Sequence, residues 1–262
     1  MTELSHMNPT GRFTGLADVY AKYRPTYPVE AIELILSRCG LGAGSLLVDV
    51  GCGTGISSRL FAARGLQVVG IEPNPEMRAA AETTPVSPGN PRPIYLDGRA
   101  EATGFPPHSA DAVLAAQAFH WFEPEPALRE FHRILRSGGW VILLWNERDE
   151  NDLFTAAYSA VVRTAPDTAT VEMPRSRAGE PLLHSAWFET AERAVFRNTQ
   201  TLDEEGLVGR ALSASYAPRE PVQAAEFASA LRAVFARYQQ QGKVVLQYQT
   251  SVYLGRRRAD DS

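Results

Sequence analysis

The chain has 262 residues, 44% of them apolar and 21% charged, and 26 Lys plus Arg against 30 Asp plus Glu leave a net charge of −4. This composition excludes a fibre, wholesale disorder and a disulfide scaffold, and the length suffices for one large domain with a full core. Mild acidity gives no electrostatic reason to bind nucleic acid, no apolar run nears the roughly 20 residues of a membrane span, and residues 1–6 lack a secretory signal's features, so a soluble cytoplasmic protein is expected.

The first predicted helix opens at Pro28, whose missing N–H suits a first helical turn, places Val29, Ile32, Ile35 and Leu36 on one face and stops at Gly40. Residues 46–50 are an apolar run that reads as a buried strand ending in the turn Gly51-Cys52-Gly53-Thr54-Gly55. A helix with Ile56, Leu60 and Phe61 inward follows and closes at Gly65. The next strand is expected over 67–72 and the next helix over 75–83. Residues 93–96 and 112–116 are further strands, 126–136 a helix with Leu128, Phe131 and Leu135 on one side, and 140–145 a fifth strand. Beyond Asn146 the rhythm breaks: residues 148–191 carry helical stretches with Pro166, Pro174 and Pro181, read as an insertion above the sheet. A strand at 193–197, a long amphipathic helix at 221–238 and an alternating strand at 244–254 complete the pattern. Strand alternating with helix predicts an α/β, Rossmann-like, doubly wound and mostly parallel seven-stranded sheet, helices on both faces, with an antiparallel C-terminal strand.

In such a sheet the ligand lies beyond the carboxyl ends of the strands, where the first turn and the end of the second strand meet. Glycines there let backbone approach a ligand, and Glu72 at the end of the second strand can accept both hydroxyl protons of a ribose. A dinucleotide fingerprint requires G-x-G-x-x-G, but Ile56 stands where its third glycine would fall, and no G-K-[ST] follows, which excludes a P-loop. Cys39, Cys52 and the five histidines show no metal-ligand spacing, so no metal is expected.

Val48 to Gly55, followed by Gly70-Ile71-Glu72-Pro73, resembles a class I S-adenosylmethionine-dependent methyltransferase of type 11. The segments 97–101, 116–122 and 133–139 extend the resemblance, and Tyr20 to Pro28 is similar to the trans-aconitate-methyltransferase-like subgroup. The resemblance implies S-adenosylmethionine as cofactor, S-adenosylhomocysteine as product, and a cofactor site of Tyr20, Arg24, Gly51, Cys52, Gly53, Thr54, Gly55, Glu72, Pro73, Met77, Arg99, Ala100, Glu101, Gln117 and Ala118. Arg99 departs from the acidic residue often found there, which shifts adenine recognition toward the backbone at Ala100.

His120 is the candidate proton acceptor beside the transferring methyl group, and Tyr23, His120, Trp121, Trp145 and Arg148 are expected to contact substrate. The expected reaction is in-line methyl transfer to a small-molecule acceptor, with a carboxylate oxygen favoured by the subgroup resemblance. A protein that binds the cofactor without transferring, and a nicotinamide-dependent oxidoreductase, are the alternatives. The whole is read as one domain: cap helices over 1–40, a cofactor-binding core over 41–146, a substrate-side insertion over 147–192 and C-terminal strands and helix over 193–262. Neither a nucleic acid nor a membrane is an expected partner, and monomer and homodimer both stay open.

Overall fold

Strand β1 (Leu46–Val50) is buried over its last four residues, so both of its faces must be covered. Its neighbours β2 (Gln67–Ile71) and β4 (Ala110–Ala116) are buried over most of their length. In the computed structural model, which describes residues 15, 17–166, 168 and 178–258, these strands sit in a seven-stranded sheet. The remaining strands are β3 (Ile94–Leu96), β5 (Leu135–Arg148), β6 (Phe188–Leu202) and β7 (Val244–Arg257). The order is β3-β2-β1-β4-β5-β7-β6, parallel from β3 through β5, with β7 antiparallel to both neighbours. The order reverses beside β1, so the crevice beyond the ends of β1 and β4 is the switch point where ligands bind.

The helices are α1 (Ala17–Tyr23), α2 (Val29–Cys39), α3 (Ile56–Ala62), α4 (Pro75–Thr83), α5 (Pro124–Ile134) and α6 (Leu153–Val162). They continue with α7 (Glu180–Leu183), α8 (Glu204–Leu212) and α9 (Pro221–Tyr238). Local chemistry sets their ends. Pro28 and Gly40 (φ 64°) bracket α2, Asn74 caps α4 by accepting from the N–H groups of Glu76 and Met77, and Asp203 caps α8 through Gly206.

Alternation along the strands sorts the core into two layers. Val48, Val113, Val141 and Leu143 face α5 and α7, joined by Phe131 and Leu182. Leu47, Leu114, Ile142 and Leu144 face α2 and α3, joined by Ile32, Ile35 and Phe61. A third cluster joins α6, α8 and α9 to Leu246 and Tyr248 of β7, through Tyr158, Leu207, Leu231 and Phe235.

Several sequence expectations are corrected. Val29, expected inward, is 58% exposed at the first position of α2, whose buried face begins at Ala31 and Ile32. Leu135 and Arg136, expected in a helix, open β5 instead, where Leu135 pairs Ala110. The strand expected at 193–197 runs from Phe188 to Leu202 as the outer strand of the sheet, bonded along its length to β7. Helix α8 was not anticipated at all. Pro174 lies outside the described residues.

One of the contacts that tie down the N-terminal segment runs through Thr26. Asn146 Nδ2 and Asn198 Nδ2 both donate to Thr26 O (3.0 and 2.8 Å), while Asn146 Oδ1 accepts from Thr250 Oγ1 (2.6 Å) and Asn198 Nδ2 (3.1 Å). Asn146 is buried, so truncating it strands several polar groups at about 1–3 kcal/mol for each one left unsatisfied. Asn146→Ala is expected to lower stability by about 2–4 kcal/mol in urea titrations and, by loosening residues 20–27, to weaken S-adenosylhomocysteine binding severalfold in calorimetry. Unchanged affinity would show that this segment does not shape the cavity.

Candidate active site

The turn after β1 is forced into shape by close packing. Gly51 (φ 68°), Gly53 (φ 55°) and Gly55 (φ 74°) all adopt the left-handed conformation, where a side chain is strained. At Gly51 a Cβ would come within 2.7 Å of Ala118 Cβ, whereas at Gly53 it would meet open space. The N–H groups of Gly51 and Cys52 donate to Ile71 O, which binds this turn to the end of β2.

Glu72 follows directly. Its Oε2 accepts from Gly53 N–H and its Oε1 from Asn74 N–H, both at 2.9 Å. The side chain is 9% exposed, and burial raises its pKa above the ordinary value, opposed by those two hydrogen bonds and by the Arg78 charge. Each oxygen keeps a second lone pair for a ligand.

These residues wall a cavity of about 610 Å³. Gly51, Cys52, Gly53, Thr54, Glu72, Pro73 and Met77 line one part of it, with Arg99, Ala100 and Glu101 beyond them. Gln117 and Ala118 line it at the end of β4, and Tyr20 and Arg24 reach it from the α1 side. Gln117 is itself in the left-handed region (φ 57°), held by its N–H to Leu144 O (2.7 Å) and its side-chain amide to Asn146 O (3.3 Å). Of the expected cofactor residues only Gly55 is absent from the wall; it lies beneath the turn as the residue before α3, against Tyr95 and Arg59.

The expected substrate residues divide. Trp121 lines the cavity. His120, its neighbour in the 3₁₀ turn Phe119–Trp121, is 8% exposed and does not, its ring lying 4.8 Å from the Trp121 ring. Trp145 alternates onto the α5 face of β5, edge-on to Tyr253 within the core. Arg148 turns away to donate from Nε to Ser159 Oγ at 2.7 Å. Tyr23 donates its hydroxyl to Glu205 Oε1 (2.6 Å) and packs its ring on Gly209, latching α1 to α8 outside the cavity. Sequence reasoning missed Pro25, Tyr27, Ile56, Ser57, Phe122 and Arg210 in the wall. Pro25 and Tyr27 lie within a segment already singled out; for Arg210 there was no signal.

Beneath the turn, Asp49 Oδ2 accepts from Ser57 Oγ (2.7 Å) and Ser58 Oγ (2.6 Å), while full burial pushes its pKa up to about 6. Between pH 4 and 6 the folded chain therefore holds a proton that the unfolded chain has released, so stability falls as pH rises through this window. Asp49→Asn is expected to abolish this dependence, so the stability of the parent relative to the variant should drop by up to about 3 kcal/mol from pH 4 to 7. A difference independent of pH in urea titrations would contradict it.

The cavity has room and an unused polar group for a ligand. Thr54 Oγ1 is buried in its wall without a hydrogen bond among the described residues, and open space lies over Gly53. A model of the methyltransferase domain matches residues 48–143. An uncharacterized methyltransferase of Mycobacterium tuberculosis is 34% identical over 215 residues, 80% of this chain and 79% of its own length. A methyltransferase-like protein of Schizosaccharomyces pombe is 32% identical over 138 residues, 52% of each chain. The fold is shared with a solved type II methyltransferase candidate from Anaeromyxobacter dehalogenans, with a TM-score of 0.63 at 24% identity over 89% of this chain and 98% of that one. The chain belongs to the methyltransferase family, as an S-adenosylmethionine-dependent enzyme with the class I fold. Among the described residues no helix is long and apolar enough to cross a membrane.

Proposed function

We propose that the enzyme methylates a carboxylate oxygen of a small molecule, in the manner of the trans-aconitate-methyltransferase-like subgroup, and that the chain acts as one domain. The carrying observation is the composition of the wall: among the described residues no histidine lines it, and His120 sits behind Trp121. A carboxylate is already ionised at neutral pH and needs no base, unlike a phenol or an amine.

S-adenosylmethionine, when bound, supplies a methyl group on a sulfonium leaving group. Glu72 would accept from the ribose hydroxyls, Pro73 and Met77 would flank adenine, and the backbone near Ala100 would meet its edge. Arg24 would pair the methionyl carboxylate. Its guanidinium lies 4.4 Å from the Tyr20 ring centre and donates to Ser213 O (2.9 Å), which fixes it against α8. Gln117 and Ala118 would hold the reacting end, and Trp121, Phe122, Tyr20 and Tyr27 would keep water from it. Alignment of this kind is worth roughly 7–11 kcal/mol, and a desolvated pocket favours a step in which a cation and an anion become two neutral products.

The test is methyl transfer from radiolabelled S-adenosylmethionine to a panel of carboxylic acids, phenols and amines. Base-labile label on carboxylic acids is expected. Label confined to phenols or amines overturns the choice of acceptor, and saturable S-adenosylhomocysteine binding without transfer to any compound favours a protein that binds but does not transfer.

A further inference from the structure

Arg210 is the one strongly buried cation in the described wall of the cavity. It projects from the last turn of α8, is 6% exposed, and lines the cavity with Trp121. Arginine stays protonated at any ordinary pH, so this is a buried charge, and such charges are normally paired. Among the described residues no carboxylate bonds or pairs with its guanidinium, and Nε has no hydrogen-bond partner. The groups that face it are the phenols of Tyr158, Tyr216 and Tyr248 and the guanidinium of Arg148.

None of these neighbours supplies the missing negative charge. Burial pushes the Tyr158 hydroxyl up to about 12, so it is neutral at pH 7, and the Tyr248 hydroxyl donates to Gln200 Oε1 at 3.1 Å. Arg148 has the same sign as Arg210. The three phenols belong to one buried cluster with Leu207, Val208 and Ala211 of α8, which leaves the buried guanidinium as a donor fork at the cavity wall. Position separates this fork from the nucleoside end. Arg210 stands over β7 and α6, on the β5 side of β4, whereas Glu72 and Met77 belong to the β2 side.

We propose that Arg210 is the anion-binding residue of the acceptor subsite: it holds an oxyanion, carboxylate or phosphate, carried by the methyl acceptor, whose body packs against Trp121 and Phe122. The assignment rests on the reading of this cavity as a site for a small-molecule acceptor. It adds the residue that selects the acceptor's anionic group, Arg210 of α8. Arg210 is thereby a substrate-binding residue and moves no proton.

The experiment uses the whole protein saturated with S-adenosylhomocysteine and titrated calorimetrically with benzoate, phenyl phosphate and neutral benzamide. At least one of the two anions is expected to bind about tenfold or more tightly than benzamide, the difference of a charge-assisted contact. Which of the two is preferred separates carboxylate from phosphate. Arg210→Gln is expected to abolish that preference while S-adenosylhomocysteine affinity stays within about twofold, and Arg210→Lys to restore part of it. Equal binding of anions and benzamide by the parent protein overturns the proposal whether or not the variants fold. A matched loss of S-adenosylhomocysteine affinity in Arg210→Gln also overturns it, by placing Arg210 on the methionyl carboxylate instead. Anion binding that depends on Arg210, with no carboxylic acid methylated, leaves this proposal standing and removes the carboxylate O-methylation reading alone.

Discussion

Gly51→Ala is expected to lose stability, and Gly53→Ala to lose cofactor affinity, although the two residues share one turn and both adopt positive φ (68° and 55°). A left-handed alanine costs roughly 1–2 kcal/mol at either position. At Gly51 the new methyl must also displace Ala118 Cβ, 2.7 Å away, and the Phe122 ring at 3.0 Å, adding about 1–3 kcal/mol of overpacking. The sum, about 2–5 kcal/mol, lowers Tm by about 10 °C in a chain of this size. At Gly53 nothing lies within 4 Å, so only the backbone term remains. That open space is where the cofactor would approach the turn, and a methyl group there is expected to weaken S-adenosylhomocysteine at least about tenfold, by a steric cost of the same order as overpacking. Thermal unfolding and calorimetry on the two variants decide it. If Gly53→Ala bound S-adenosylhomocysteine as tightly as the parent, the cofactor could not lie against this turn.

The site divides into a part that local sequence determines and a part that packing determines. The glycine turn and Glu72 were legible because a parallel sheet with short connections leaves little freedom: Val50 pairs Ile71, so whatever follows each residue must meet. Arg210 was illegible because its environment comes from three other elements, Tyr158 on α6, Tyr248 on β7 and Tyr216 beyond α8. The sequence of α8, Glu-Glu-Gly-Leu-Val-Gly-Arg-Ala-Leu, also carries two glycines that weaken a helical reading. One of them, Gly209, is present because the Tyr23 ring leaves no room for a side chain. His120 and Trp145 failed differently. Both were assigned to the cavity by proximity along the chain, but alternation along β5 turns Trp145 into the core, and the 3₁₀ turn presents Trp121 rather than His120. Strand β6 was recognised only in its centre, since an outer strand with polar residues on both faces lacks a marked alternation.

Glu72→Ala is expected to have the largest effect on cofactor binding. Its carboxylate joins the two turns that would form the nucleoside end, accepting from Gly53 of the first and Asn74 of the second. Two hydroxyl bonds to a charged acceptor are worth roughly 1.5–3 kcal/mol each, so removing both should weaken S-adenosylhomocysteine about a hundredfold or more. Glu72→Gln separates the two duties of the side chain. The amide keeps one oxygen for a backbone N–H but presents an NH₂ where the other needs an acceptor, so stability should suffer less than in the alanine variant while affinity stays poor. Acidity gives an independent readout. Burial raises the Glu72 pKa, and only the ionised carboxylate accepts from both hydroxyls. Affinity should therefore fall as pH drops toward the carboxylate range, earlier than an exposed glutamate would dictate, and this component should vanish in Glu72→Gln. Calorimetry across pH with parent and variant tests both statements. An alanine variant that binds like the parent, or identical pH profiles for parent and glutamine variant, would take Glu72 out of cofactor recognition and leave it as a brace between two turns.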